Sequence, residues 1–305
     1  MRVTLLGTGC PIVDVHRFGP ATLVQTECAE AVEGTPPPGE AWLVDCGSGV
    51  TQRLLAHGIT GAHITGVLLT HLHSDHTVDL IQLLISGWHQ GRTSPLRIFG
   101  PRRTREFVEG LLAVWAPEFL QRSAHELRDP GGLAVDIREI GPDWQMDTMG
   151  LHIACTEVRH QPIPQAFGFR FDGTALSGGG STVVSGDTAY CPELIALAQD
   201  CDLLVHEVFA HHSYALQREG RLPAQTANVM AYHTRGDEVG RVAREAGARN
   251  LALTHFVPVV FDRVQLGREV RADFDGGLFI GEDLMSFEVR QGQTTLLRGG
   301  GASHL

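Results

Sequence analysis

Short apolar runs punctuated by polar or glycine-containing breaks recur along the first hundred positions. Residues 3–6, 21–24, 41–45 and 66–70 read as strands. Between them, 49–57 and 76–89 space their apolar residues at helical intervals. A strand at 96–99 ends in Gly100-Pro101, and a helix follows at 102–115. From 133 to 172 the pattern is mostly strand, at 133–137, 151–158 and 167–172. Strands at 182–185 and 202–206 flank a helix at 192–199 that starts on Pro192, a favoured first-turn residue. A helix at 235–247 stops at Gly247, a strand follows at 250–254, and short strands at 278–280 and 284–289 complete the pattern. This mixture predicts an α/β chain with two sheets and helices outside them, not one doubly wound sheet. Residues 27–40, rich in Pro and Glu, read as a surface hairpin extension, and 177–181 as a flexible turn. Neither resembles a linker and no internal repeat is visible, so one domain over 1–305 is expected.

Composition narrows the chemistry. No run approaches the ~20 apolar residues of a membrane-spanning helix. Met1 to Thr8 reads as a strand, not a secretory signal, so a cytoplasmic location and no membrane partner are expected. All 24 basic residues are Arg, which excludes a lysine Schiff base or a phosphate-loop lysine. A net charge of −11 argues against a broad phosphate-binding surface, although metal ions could supply local positive charge to a small anion. The six cysteines are scattered without a Cys-x-x-Cys pair, so free thiols are expected; Cys46 and Cys155 lie close enough to the chemistry below to leave a ligand role open.

That chemistry begins at Thr70-His-Leu-His-Ser-Asp-His76, directly after the apolar run Val67-Leu68-Leu69. Three imidazoles and a carboxylate at this density suit Zn²⁺ or a similar cation, and the absence of Cys points to a catalytic centre with room for a second ion. One loop cannot complete such a centre. Three later residues share one context, an apolar strand followed by a single ligand-type side chain and a break: His160, Asp187 after Gly186, and His255.

With these residues in view, the chain resembles the metallo-β-lactamase superfamily, in the branch of tRNase Z and the arylsulfatase-like and phosphodiesterase-like hydrolases. Matching segments run in order from Leu6-Gly-Thr-Gly-Cys-Pro11 through Val44-Asp-Cys-Gly-Ser-Gly49, Thr70 to His76, Val158-Arg-His160, Phe167-Gly-Phe169, Ser185-Gly-Asp-Thr188, Val205-His-Glu207 and His233-Thr234 to Leu253-Thr-His-Phe256. The resemblance implies an αββα sandwich with the site at one edge of two mixed sheets. It implies His71, His73 and His160 around a first metal, Asp75, His76 and His255 around a second, and Asp187 bridging them. The cofactors would be two Zn²⁺, with Mn²⁺ or Fe²⁺ acceptable to the same ligands, and a water or hydroxide between them would be the nucleophile. Asp75 would orient or deprotonate that water. Glu207 and His233 correspond to a proton-relay pair for the leaving group, a supporting role beneath a ligand imidazole being the alternative. Asp45 reads as a hydrogen-bond acceptor rather than a ligand.

Two departures shape the functional expectation. Only Arg170 to Val184 separate the Phe-Gly-Phe segment from the Asp187 turn, too short for the arm with which tRNase Z grips tRNA. Asp79 also stands where the family often has glycine. The leading expectation is therefore a dinuclear hydrolase of small phosphodiesters or aryl sulfate esters. The alternatives are a tRNA 3′ endonuclease of the RNase Z type and lactam or lactone hydrolysis. A small-molecule ester is the expected partner, nucleic acid is not expected, and a homodimer is implied by resemblance alone.

Overall fold

The computed structural model describes residues 1–26, 39–213 and 222–298. Among them, fifteen strands form two sheets. The first contains β1 (Arg2–Gly7), β2 (Ala21–Gln25), β3 (Ala41–Val44), β4 (Gly66–Leu68), β5 (Leu96–Gly100), β6 (Val135–Glu139), β14 (Met285–Arg290) and β15 (Gln293–Arg298), in the order β15-β14-β1-β2-β3-β4-β5-β6. The second contains β7 (Gln145–Asp147), β8 (Leu151–Glu157), β9 (Phe167–Gly173), β10 (Ser181–Val184), β11 (Leu203–Phe209), β12 (Asn250–Val257) and β13 (Gly277–Ile280), in the order β13-β12-β11-β10-β9-β8-β7. Helices are α1 (Val50–His57), α2 (Ser74–Thr77), α3 (Leu80–His89), α4 (Thr104–Glu126), α5 (Pro192–Leu197), α6 (Pro223–Met230), α7 (Gly236–Glu245) and α8 (Arg263–Arg271).

The layering follows from which faces are apolar. Strands such as Ala41-Trp-Leu-Val44 and Leu203-Leu-Val-His-Glu-Val-Phe209 are buried along their whole length, as sheets covered on both sides require. One face packs the two sheets together: Val3, Leu5 and Trp42 meet Phe167, Phe169, Phe171 and Val205. Outside the first sheet, Leu43, Val67 and Ile98 pack under Leu54 of α1 and Leu80, Leu83 and Leu84 of α3. Outside the second, Val183, Leu204 and Leu253 pack under Leu194 of α5, Val239 and Val242 of α7, and Leu266 and Val270 of α8. The expected αββα sandwich is the architecture found.

Direction matters more for function than order. β3, β4, β5 and β6 run parallel, as do β10, β11, β12 and β13. β9 is antiparallel to both β8 and β10, so β8 points the same way as β10. The carboxyl ends of β3, β4, β8 and β10 therefore lead into Asp45, His71, His160 and Asp187, while Glu207 and His255 lie within the last residues of β11 and β12, which run on past the expected ends at 206 and 254.

Several expected elements change extent. The helix at 76–89 is two, α2 and α3, because the backbone turns at Val78-Asp79, where the Asp79 carboxylate accepts Thr51 N–H at 2.6 Å and holds the start of α1. Asp79 thus serves a helix terminus rather than the substrate side. The helix at 102–115 runs on to Glu126 through Pro117; its exposed Val114, Trp115 and Leu120 blur the amphipathic period. The stretch 257–276 holds α8, whose start is signalled by Asp262 accepting from Val264 and Gln265 N–H. β7, β15 and α6 carry too few buried residues to show a pattern. The expected hairpin extension at 27–40 falls almost wholly outside the described residues.

Candidate metal centre

The loop after β4 presents its side chains in two directions. His71 Nε2 and His73 Nδ1 lie 2.9 Å apart, and His160 Nε2 lies 3.2 Å from His73 Nδ1. Asp75 and His76 point to the other side, where His255 Nε2 lies 3.3 Å from Asp75 Oδ2 and His76 Nε2 lies 3.6 Å from it. Asp187 joins the halves. Its Oδ2 is 4.0 Å from His71 Nε2 and 3.8 Å from His160 Nε2, and 3.3 and 3.4 Å from the Nε2 atoms of His76 and His255. One carboxylate oxygen is thus shared by both sets.

Two backbone features aim these groups. Gly186 has φ +60, and a Cβ there would stand 2.5 Å from the Phe167 carbonyl oxygen, so only glycine turns the chain at Asp187. On β12 the pairing passes from Glu207↔Thr254 to Val208↔Phe256, leaving His255 as the extra residue of a bulge, with φ +41. A bulge re-aims a side chain off the sheet face, here into the site. Asp45, at φ +62, is a second left-handed residue in the same place.

Three of the five imidazoles, His71, His76 and His160, have an orienting partner. Thr70 Oγ1 donates to Asp45 Oδ2 (2.8 Å) and accepts from His71 Nδ1 (2.9 Å). His76 Nδ1 donates to Asp45 Oδ2 (2.7 Å), and His160 Nδ1 donates to the Tyr232 carbonyl (3.0 Å). Each bond leaves the opposite ring nitrogen bare toward the centre. Asp45 takes the acceptor role expected of it; the Thr70 hydroxyl and the Tyr232 carbonyl carried no sequence signal.

Glu207 and His233 abut the centre. Glu207 Oε1 accepts from His233 Nδ1 (3.0 Å) and from the N–H groups of Thr188 and Thr234 (both 3.1 Å). Glu207, His233 and His255 offer ligand-type atoms within 4.8 Å of one another. A cavity of about 20 Å³, with room for one water-sized group, lies among Asp45, His76, Asp187, Glu207 and His255.

The electrostatics fit a cation. Burial lowers His71, His73 and His160, and neighbouring imidazoles lower them further, so all three favour the neutral ligand form. Burial opposes charge on His76 too, but Asp187, Asp45 and Asp75 outweigh it and raise its pKa strongly. Burial likewise opposes charge on Asp187, which His255 and His76 hold well below the usual carboxylate range. His76 Nε2, Asp187 Oδ1, Glu207 Oε2 and His255 Nδ1 are all buried without a hydrogen-bond partner. A buried polar atom left unpaired costs roughly 1–3 kcal/mol, and the unpaired His76, Asp187 and Glu207 atoms fit groups built around ions and substrate.

Other candidates fall away. Cys155 donates its thiol to the Gly141 carbonyl at 3.2 Å, and burial pushes its pKa to about 12. Cys46 packs with Leu43, Val50 and Leu54, and burial raises its thiol as well. Neither favours the thiolate a metal needs. His16 is exposed, and His211 and His212 face Asp237 and Glu269 rather than the seven clustered groups.

Residues 41–256 match the β-lactamase superfamily domain. Two relatives called Ribonuclease Z align over nearly the whole length: that of Mycobacterium bovis (strain BCG / Pasteur 1173P2), 36% identical over 95% of this chain and 98% of the relative, and that of Mycolicibacterium paratuberculosis (strain ATCC BAA-968 / K-10), 37% identical over 95% and 98%. The chain belongs to the metallo-β-lactamase superfamily, in its ribonuclease Z branch. Solved structures of this superfamily share the fold. The metallo-β-lactamase fold protein YhfI of Bacillus subtilis superposes with a TM-score of 0.68 at 22% identity, covering 94% of this chain and 99% of its own. Human tRNase Z, short form, superposes at 0.66 with 23% identity, covering 95% and 99%. Superfamily membership makes the chain a metal-dependent hydrolase, and its His and Asp clusters are able to hold divalent cations.

These relatives overturn one expectation. Nucleic acid was not expected as a partner, on net charge and the missing arm, yet the relatives that align over nearly the full chain are ribonucleases. Net charge sums the whole surface, whereas recognition depends on the field at the site, where cations dominate. The shortness of the arm is real: residues 174–180 alone connect β9 to β10. It does not exclude RNA.

Proposed function

We propose that the protein is an RNase Z-type endonuclease that cleaves precursor tRNA on the 3′ side, using two divalent cations of the zinc class at the centre above. One geometric observation carries the dinuclear reading: Asp187 Oδ2 lies within 4.0 Å of His71, His160, His76 and His255. His71, His73 and His160 would hold one ion and Asp75, His76 and His255 the other, with Asp187 shared. Bound there, the ions would supply Lewis acidity and lower the pKa of an attacking water.

The chain's own groups do the rest. Asp75 is placed to orient that water and receive its proton. Glu207 bonds His233 and two backbone amides rather than His71, His76 or His160, which Thr70, Asp45 and the Tyr232 carbonyl already orient. This supports the relay reading over the supporting one. Glu207 outweighs the effect of burial and raises the His233 pKa, which favours the protonated ring that would donate to a departing ribose oxygen. An open groove of about 490 Å³ lies between Leu72 and the Arg103, Glu106, Phe107, Leu111 and Val114 side of α4. The relatives called Ribonuclease Z support a nucleic-acid substrate over the phosphodiester and sulfate-ester reading.

The test is purified protein against a precursor tRNA with a 3′ trailer, beside bis(p-nitrophenyl) phosphate and p-nitrophenyl sulfate, with and without chelator. The expected result is metal-dependent cleavage of the precursor that falls steeply as salt rises. An inert precursor beside metal-dependent turnover of either small ester overturns the proposal.

A further inference from the structure

A second constellation of metal-ligand type lies away from the dinuclear centre. His211 and His212 follow β11, with ring centroids 4.0 Å apart. Both rings turn Nδ1 toward Glu269 on α8: His212 Nδ1 lies 2.5 Å from Oε1 and His211 Nδ1 lies 3.9 Å from Oε2. The Glu269 side chain is only 9% exposed and is fixed from behind, where Gln265 Nε2 donates to Oε1 at 2.9 Å. A Cβ on Gly236 would stand 2.4 Å from Glu269 Oε2, so the glycine at the start of α7 leaves room for this carboxylate.

An ion pair between His212 and Glu269 accounts for only part of this. His211 is 13% exposed and its buried Nδ1 has no hydrogen-bond partner. Its other nitrogen, Nε2, faces Asp237 Oδ2 at 3.8 Å. A bare nitrogen toward a carboxylate and a second carboxylate behind the ring is the arrangement of a metal-ligating histidine. Zn–N and Zn–O bonds of about 2.0–2.2 Å put neighbouring ligand atoms roughly 3.3 Å apart. The two Nδ1–carboxylate spacings bracket that value, and the main centre's 2.9 to 3.4 Å contacts span it too.

We propose that His211, His212 and Glu269 form a separate mononuclear site for a divalent cation, with water completing its coordination. Two imidazoles and a carboxylate select the zinc, cobalt and nickel class over Mg²⁺ or Ca²⁺. The ion clamps the turn after β11 onto α8. That turn begins at Phe209, whose ring stacks on His233 with centroids 6.3 Å apart, and Phe209 also bridges to Arg235 at the start of α7. The site therefore stiffens the floor beneath the Glu207–His233 pair.

Native mass spectrometry of the full chain, stripped by chelation and titrated with Zn²⁺, tests this without reference to any substrate. Wild type is expected to take up one equivalent more than either Glu269→Gln or His212→Gln. The His212 side chain is 60% exposed, so that substitution does not threaten folding. His71→Ala, which disables the main centre, is expected to keep the equivalent that depends on His212. Co²⁺ added to that variant should give the visible absorption of a nitrogen- and oxygen-ligated ion, absent when His212→Gln is added. Equal Zn²⁺ uptake by wild type, Glu269→Gln and His212→Gln overturns the proposal, whatever the protein does to RNA.

Discussion

At the scale of single residues, burial converts ordinary side chains into specialised ones. Asp45 touches none of the bare nitrogens, yet it fixes both Thr70 and His76. Losing such an orienting acceptor typically lowers metal affinity ~10–100-fold, so Asp45→Ala should weaken Zn²⁺ binding by that factor in a competition assay with a chromogenic chelator. Asp187→Ala should lose metal and activity together, because one oxygen serves both halves. Glu207→Ala should retain its metal while single-turnover cleavage slows ~10²–10⁴-fold, the usual worth of a positioned proton donor; release of metal by that variant would restore the supporting reading. His57 supplies a stability test far from the centre. Burial, with Arg2 and Arg298 nearby, pushes its pKa from 6.5 down to about 4, and Nε2 meets Gln25 Oε1 at 3.0 Å. The unfolded chain then binds the proton more readily than the folded one, so folding is disfavoured as pH falls from 6.5 toward 4, by up to about 3 kcal/mol. The stability difference between wild type and His57→Gln, from urea midpoints, should shift against wild type over that window and stay flat above pH 7.

At the scale of elements, the site depends on two local breaks of strand regularity. The bulge that holds His255 leaves no sign in the sequence, because Leu-Ala-Leu-Thr-His-Phe-Val reads as one apolar run with a polar interruption. Gly186 is legible as a turn residue only because glycine is the residue that adopts a positive φ freely. Gly186→Ala adds left-handed strain and a clash with the Phe167 carbonyl, together about 2–4 kcal/mol. It should lower the denaturation midpoint and weaken metal binding in parallel, since Asp187 is carried on that turn. A variant that keeps wild-type metal affinity would show that the turn tolerates a side chain. The helix starts at Pro192 and Asp262 follow ordinary capping chemistry. α4 and α6 escaped notice in whole or part because they bury few side chains, and periodicity reports burial rather than helicity.

At the scale of the whole molecule, two sheets that bury both faces bring their carboxyl edges together, and the metal centre belongs to both. Metal should therefore tie one half to the other. At a free concentration of about 100 Kd a ligand of the folded state adds roughly 2.7 kcal/mol, so chelation should lower the melting temperature of wild type clearly more than that of Asp187→Ala, which keeps only the His211–His212 site. An equal shift in both would place the stabilising metal elsewhere, the His211–His212 site being the first candidate. Among the described residues no helix is long and apolar enough to cross a membrane. The sequence by itself determined most strands, two sheets with helices outside them, and the ligand-type residues, since apolar runs followed by a lone imidazole or carboxylate are written in local order; the αββα order was implied by resemblance alone. Only the tertiary structure decided that Asp187 lies between the two sets, that Glu207 serves His233 rather than a clustered imidazole, and that His211 meets Glu269. Those are contacts between strand ends and helices distant along the chain, and local pattern carries no information about which distant ends will meet.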